Sequence, residues 1–402
     1  MTSSEQPFKI AVSQQEIDLL KAKLNLAAFP DELDEAGWLY GAPLADVKRL
    51  VARWKDGFDW RAQERKLNEE LPQFTRDIDV DRFGTLNIHY VHARSTLDAA
   101  IPLLFVHGWP GSFIEVRKIL PMLTRVVSDQ PSFHVVTLSL PGYGFSAAPK
   151  KTGFRTDQYA EVCNKLMLAL GYNEYVTQGG DWGGIITRRV ASLYGPKHAK
   201  AWHTNFPLAE PPETQSQPAT HAHLHIHDCT TQETGIGYLQ LQSTKPQTLG
   251  YALSDSPVGL LAWIYEKLVA WTDGYEWDDD EVLTWISVYW FSRAGPAASL
   301  RIYYENSNEG RLLPSPNNPA DCPDDPDGPL VLPQGSVWFS RATDGRCSWV
   351  RRTGNVVAES VHAAGGHFAA HEVPELLVSD LHKMFRRGGG AYGVVPGHIG
   401  SA

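Results

Sequence analysis

The residue in this sequence best placed to do covalent chemistry is Asp181. It lies in Gln178-Gly179-Gly180-Asp181-Trp182-Gly183-Gly184, with a glycine two residues before it and another two residues after it. A strand-like run, Glu174-Tyr175-Val176-Thr177, leads in, and a helix-forming run at 185–191 leads out. That spacing suits a sharp strand-to-helix elbow, whose central residue is strained and whose flanks are too crowded for side chains. The central side chain then projects above the sheet. A carboxylate held there can attack an electrophilic carbon and form an ester. The plainer alternative is a glycine-rich turn with a surface acid, and the rest of the chain must decide between them.

Ligands of a parallel sheet bind beyond the carboxyl ends of its strands, so the residues after each predicted strand are the next candidates. The run 101–106 is followed by His107-Gly108-Trp109-Pro110-Gly111-Ser112, and the run 133–140 by Pro141-Gly142-Tyr143-Gly144-Phe145-Ser146. The run 336–339 is followed by Arg341 to Asp344, and the run 356–361 by Gly365-Gly366-His367-Phe368. Nucleophile, acid and base in the chain order Asp181, Asp344, His367 fit the triad of an α/β hydrolase. The glycine pair lets the chain present His367 at a fixed height, as a general base requires, although such a turn could simply end a strand. Asp344 is the sole acid between Leu332 and Gly354. Peptide N–H groups at Trp109 and at Trp182 are placed for an oxyanion hole. The Trp109–Pro110 bond, in a tight turn, is a candidate for cis.

These residues need a scaffold, and the chain is large enough to supply one. It has 402 residues, is 43% hydrophobic and 20% charged, and carries a formal net charge of -10. That charge argues against nucleic acid or an anionic membrane as partner. Cys163, Cys229, Cys322 and Cys347 are far apart, match no metal spacing and read as free thiols of a reducing compartment. No leader-like N-terminus, membrane-length apolar run or Asn-x-Ser/Thr sequon is present, so a soluble cytoplasmic protein without a membrane anchor is expected.

Periodicity places the elements. Ser13 and Glu16 form a capping-box pattern before an apolar helical face, and Val47, Leu50, Val51 and Trp54 mark a second helix at 44–56. The segment between them, with Trp38 and Tyr40, reads as an extended arm packed on a larger body. Alternating strands near 74–78 and 86–92, then strands alternating with helices to residue 204, imply a parallel sheet covered on both faces. A Pro/Thr/Ser/Gln-rich stretch at 211–219 and a Pro/Asp-rich one at 314–329 bracket a helical, aromatic segment. The expected division is 1–95 (N-terminal extension and first strands), 96–210 (first part of the core), 211–328 (mostly helical cap) and 329–402 (second part of the core). His221, His223, His225 and His227 alternate but lack a defined ligand geometry, and the acids from Asp321 to Asp327 lack a calcium-loop pattern, so no metal is assigned.

Taken together, these motifs resemble the microsomal-type epoxide hydrolases of the α/β-hydrolase superfamily. The resemblance spans nearly the whole chain. It rests on the arm beginning Pro7-Phe8-Lys9-Ile10, on His107–Ser112, Gly179–Gly183 and 365–370, and on Gly237–Pro246 and Asp255–Leu260 in the insertion. It implies an α/β-hydrolase fold with a helical cap and an N-terminal extension, acting on a small lipophilic epoxide and water without a cofactor. Carried over residue by residue, it makes Tyr238 and Tyr303 the phenols that support the leaving epoxide oxygen, with Tyr304 as the rival of Tyr303. Trp109, Trp182, Trp263 and Phe368 become substrate contacts, and a homodimer is allowed. Two departures stand out: the acid-to-histidine spacing is shorter than usual, and Phe339-Ser340-Arg341 replaces the family's Phe-Pro pattern before the acid. The rival activities are a haloalkane dehalogenase, an epoxide-opening cyclase or tailoring enzyme, and a non-catalytic binding protein on the same fold.

Overall fold

The computed structural model describes residues 4–207, 235–307, 330–339, 351 and 354–400. Asp344, the histidines from His221 to His227, the acidic run at 321–327, both predicted linkers and three of the four cysteines lie outside the described residues. Cys163 is a buried free thiol.

Nine strands form one sheet in the order β1-β2-β3-β5-β4-β6-β7-β8-β9. They are β1 (Gln6–Pro7), β2 (Gln73–Val80), β3 (Gly84–Ala93), β4 (Ile101–Val106), β5 (Phe133–Leu138), β6 (Tyr175–Gly179), β7 (Ala199–Thr204), β8 (Leu330–Phe339) and β9 (Gly354–His362). The expectation of a parallel sheet holds from β5 to β9, whereas β1, β2, β3 and β5 pair antiparallel. The reason lies in the burial. Every residue of β4 and β5 is buried, as a parallel strand covered on both faces requires, while β2 keeps residues partly in solvent.

Helices Thr156–Ala169 and Trp182–Tyr194 pack against each other and the sheet, and Pro374–Phe385 packs on β9. A second helical layer comes between β7 and β8 in sequence: Gly237–Thr244, Pro246–Asp255, Pro257–Ala270, Asp279–Trp290 and Arg301–Asn306. Its starts are encoded locally. Ser256 caps a helix that opens on Pro257, and Asp278 forms a capping box with Glu281. Among the described residues no helix is long and apolar enough to cross a membrane.

The N-terminal arm is more helical than its sequence suggests. Gln14–Asn25, capped by Ser13 and Glu16, and Leu44–Asp56 both form as expected. A third helix, Trp60–Glu70, was not foreseen, because only Trp60, Glu64 and Leu67 are buried in an otherwise polar run. Its polar face is structural: Glu64 accepts the Val12 N–H at 2.7 Å, and Asn68 both accepts from and donates to the Ile10 backbone at 2.8 Å. The arm also meets the cap layer. Lys23 pairs with Asp255, Arg49 with Asp279, and Arg53 with Asp280, and Trp38 packs on Tyr265.

Candidate active site

Strands β4 and β6 are neighbours, with Val106 opposite Gly179. The turns that leave these two strand ends therefore meet, and Asp181 faces the His107–Ser112 loop. At the elbow Asp181 has φ 51 and ψ -131, a backbone region that costs a non-glycine residue about 1–3 kcal/mol. The glycine requirement is visible around it. A Cβ on Gly179 would collide with the Gly183 carbonyl, and a Cβ on Gly183 would collide with the carbonyls of Val106 and His107.

The peptide N–H of Trp109 donates to Asp181 Oδ1 at 2.8 Å, and the N–H of Trp182 also bonds this carboxylate. Burial pushes the Asp181 carboxyl up to about 7, against the pull of those two N–H groups. The side chain is 12% exposed. The loop that supplies Trp109 is pinned from both sides. His107 Nδ1 donates to the Gly108 carbonyl, and its Nε2 accepts the Leu140 N–H; burial keeps the ring neutral, against the Gly108 bond, which favours the charged form. From the cap, Trp285 Nε1 donates to the Pro110 carbonyl and the Tyr289 hydroxyl to that of Gly111, each at 2.6 Å. The Trp109–Pro110 peptide is cis.

His367 has farther to come. Its strand, β9, lies three places along the sheet from β6, about 14 Å at ordinary strand spacing. Five residues after His362 can span about 17 Å, so the loop must run back over the sheet with little slack. Gly365, at φ 101, makes the bend. The loop is held by the cap and by its own following helix. The His367 N–H donates to the Trp271 carbonyl at 2.8 Å, Gly365 N–H to Asp273, and Phe368 N–H to Glu372. Glu372 also accepts the Asp273 N–H, so one partly buried carboxylate ties cap to core. His367 Nε2 then lies 3.8 Å from Asp181 Oδ2. That is too long for a direct hydrogen bond, yet close enough for one water to reach both groups.

Aromatic rings of the cap close the site. Tyr238 stacks on Trp109, with centroids 5.4 Å apart and planes 7° from parallel. Tyr303 stands edge-on to Trp109 and Trp182, at 5.7 and 5.1 Å, and 6.0 Å from Tyr238. Burial raises both phenols far above their ordinary values, and the Asp181 charge raises them further, so both stay protonated and able to donate. Tyr303 is 2% exposed, whereas its neighbour Tyr304 is 50% exposed. Phe368 is buried against His367 and Trp285. Trp263 donates to Gln242 and reaches the cluster through Lys267, whose ammonium lies over both its ring and that of Tyr238. Two other acids that could partner His367, Glu359 on β9 and Glu305 two residues after Tyr303, are engaged elsewhere: Glu359 pairs with Arg351, and Glu305 accepts the Gly153 N–H.

Three residues near the site were not picked out for it from sequence. Trp271 packs on His367, Tyr238 and Trp109, although its spacing marks only a cap helix. Lys267 is buried with its ammonium 4.7 Å from the Tyr238 ring and paired with Glu266. Glu115 is buried beside Asp181, where its sequence signal is only a capping box with Ser112.

The strand order, the helical layer between β7 and β8, and an acid at the elbow after β6 define an α/β-hydrolase fold. A family profile described as "alpha/beta hydrolase fold" matches residues 101–219, and one described as "Epoxide hydrolase N terminus" matches residues 5–116. The chain is 35% identical to epoxide hydrolase 1 of Sus scrofa, covering 95% of this chain and 88% of that protein. The solved structure of Aspergillus niger epoxide hydrolase superposes with a TM-score of 0.78 at 31% identity, covering 94% of this chain and 95% of that one. The juvenile hormone epoxide hydrolase of Bombyx mori gives 0.77 at 29% identity, covering 94% and 92%. The chain belongs to the epoxide hydrolase family, and its substrates are an epoxide and water.

Proposed function

We propose that this enzyme opens a lipophilic epoxide to a vicinal diol in two steps, through a covalent ester on Asp181. The observation that carries the reading is the position of one carboxylate. Asp181 is gripped by two peptide N–H groups, has His367 Nε2 3.8 Å away, and is faced by two protonated phenols. In the first step an Asp181 oxygen bonds to an epoxide carbon, and the carbon–oxygen bond of the ring breaks. Tyr238 and Tyr303 hydrogen-bond the departing oxygen, and one of them donates the proton that makes it a hydroxyl.

In the second step His367 takes a proton from water, and the water oxygen adds to the ester carbon. The oxyanion forms where the Trp109 and Trp182 N–H groups already point. Collapse breaks the acyl–oxygen bond to the diol, and the His367 proton passes to the leaving alkoxide. The proton left on the Asp181 carboxyl restores the phenol through solvent and regenerates the carboxylate. Asp344 is proposed as the acid that orients His367 and stabilises its charge. Its support is its place after β8 and the engagement of Glu359 and Glu305 elsewhere. The tryptophan-rich walls, Trp109, Trp182 and Trp271, favour an apolar substrate. The four-part division into extension, two core parts and cap is proposed with the same boundaries.

Two phenols facing the nucleophile favour an epoxide oxygen over a halide as leaving group. An epoxide-opening cyclase would replace water with an internal hydroxyl. His367→Gln separates these readings. Mixed with a generic aryl epoxide, the variant is expected to accumulate a substrate adduct by intact-protein mass spectrometry, with the added mass on the peptide that holds Asp181. Normal turnover without an adduct would remove His367 from the mechanism.

A further inference from the structure

We propose that Glu372 is a positioning residue for the base, one that sets the height of His367 above Asp181 by locking its loop to the cap. The inference rests on the ester reading above, in which His367 serves only the second step.

The peptide N–H groups of the loop show how it is held. Gly365 donates to Asp273 Oδ2 at 3.1 Å, and His367 to the Trp271 carbonyl at 2.8 Å. Phe368 donates to Glu372 Oε1 at 2.8 Å, and the Gly366 N–H also bonds this carboxylate. Four consecutive donors thus go either to the cap turn that follows the helix Pro257–Ala270 or to Glu372, which ends the short helix Ala369–Glu372.

Glu372 joins these two sets. Its Oε2 accepts the Asp273 N–H at 2.8 Å, across a sequence separation of 99. Capping of its own helix accounts for the bond to Phe368, but it does not account for a second oxygen aimed at the cap. Without the carboxylate, Gly366, Phe368 and Asp273 lose an acceptor together. The fit is close, because a Cβ on Gly366 would collide with the Trp271 carbonyl and crowd Glu372 Oε2. Trp271 also packs on the His367 ring, with centroids 4.8 Å apart, so a shift of the turn carries the imidazole with it. His367 Nε2 lies 3.8 Å from Asp181 Oδ2, the span of one bridging water. A displacement of about 1 Å is enough to uncouple a base from that water.

The bridge is held against a cost. Burial, with a smaller push from the Asp273 charge, raises the Glu372 carboxyl to about 7, against the pull of the Asp273, Phe368 and Gly366 N–H groups. Tyr275, on the same cap turn, also faces this charge: its phenol is raised by burial first, then by Glu281 and by Glu372. The ionised form, with acceptors on both oxygens, completes the bridge. The folded state nevertheless holds the proton more tightly than the unfolded chain does. The stabilising contribution of this group is therefore full below the ordinary glutamate range and lost as pH rises through about 7. A charge that costs the fold stability at pH 8 fits a residue kept for position.

The test is a single-turnover experiment at pH 8 with an aryl epoxide, with ester formation and ester decay followed separately by rapid quench and intact-protein mass spectrometry. Glu372→Gln keeps the shape and one acceptor, and removes the charge and the second acceptor. We expect ester formation within about threefold of wild type and ester decay slowed about tenfold, short of the roughly 100-fold that full misplacement brings. The urea denaturation midpoint at pH 8 should be no lower than that of wild type. Because Glu372 acts through His367, adding Glu372→Gln to His367→Gln should leave the residual decay of that variant unchanged within about twofold. A purely structural role would lower the midpoint and slow both steps together, since Trp271 also packs on Trp109 and Tyr238. That result would overturn the proposal, as would unchanged decay in Glu372→Gln or a further loss in the His367→Gln background. Absence of an ester in the wild type would instead refute the underlying two-step reading.

Discussion

The two walls of the site are made of different material. On the core side the groups proposed to react are peptide N–H donors and two side chains, Asp181 and His367, all presented by turns after strands β4, β6 and β9. On the cap side they are rings: Tyr238 stacks on Trp109, and Tyr303 and Trp271 meet Trp109 and Tyr238 edge-on. The core wall fixes where charge can sit. The cap wall buries two phenols and so keeps them protonated. The walls are also joined, since Trp285 and Tyr289 of the cap hold the carbonyls of the loop that carries Trp109, and Trp271 holds the His367 N–H. The lesson is that the cap supports the core wall's geometry as well as covering the substrate.

If the walls divide the labour in this way, substitutions should separate along the same line. Asp181→Ala removes the only proposed bond-forming group and should lower turnover by about 10⁴-fold or more, as loss of a nucleophile does elsewhere, with no adduct at any time. On the cap wall, Tyr238→Phe and Tyr303→Phe should each slow ester formation by about 10- to 100-fold, because one of two donors remains. Tyr304→Phe, at an exposed position, should change it by less than about twofold. Pre-steady-state rates decide this, and a large loss from Tyr304 with none from Tyr303 would break the assignment of the cap wall.

Proton binding at Asp181 links the core wall to pH. The nucleophile must be ionised, and its carboxyl is pushed up to about 7 by burial. Ester formation should therefore rise with pH through about 7 and fall about tenfold per unit below it. The same titration has the opposite effect on stability. The folded state holds this proton more tightly than the unfolded chain, so the stabilising contribution is full below the ordinary aspartate range and is lost as pH rises through about 7. Asp181→Asn should consequently raise stability at pH 8 by about 2 kcal/mol, with a smaller gain at pH 5. Chemical denaturation at the two pH values measures it, and a loss of stability at pH 8 would show that the elbow needs the charge.

The same contrast explains what the sequence revealed. A wall made of backbone leaves a record, because a peptide can approach a carboxylate only where glycines stand at fixed positions. Gly179, Gly183 and the Gly365-Gly366 pair marked Asp181 and His367 as candidates, and the fold brings the two side chains within 3.8 Å. The cap wall leaves less. Tyr238 and Tyr303 came from family resemblance, and helical spacing could not separate Trp271 from ordinary packing or show that Lys267 is buried under the Tyr238 ring. Glu115 was hidden by a sufficient local explanation, its capping box. In the fold, continuous apolar runs located β4 and β5 well, while the helix Trp60–Glu70 escaped because its buried face uses a glutamate. The mixed character of the sheet escaped because pairing direction depends on long-range contacts.

The most direct test of the central claim uses oxygen labelling. Enzyme in excess over an aryl epoxide is run for one turnover in water enriched in heavy oxygen. A covalent ester requires that the first diol carry an unlabelled Asp181 oxygen and that the label appear in the peptide containing Asp181. Heavy oxygen in the first-turnover diol, with an unlabelled enzyme, would mean that water attacks the epoxide directly and would contradict the account.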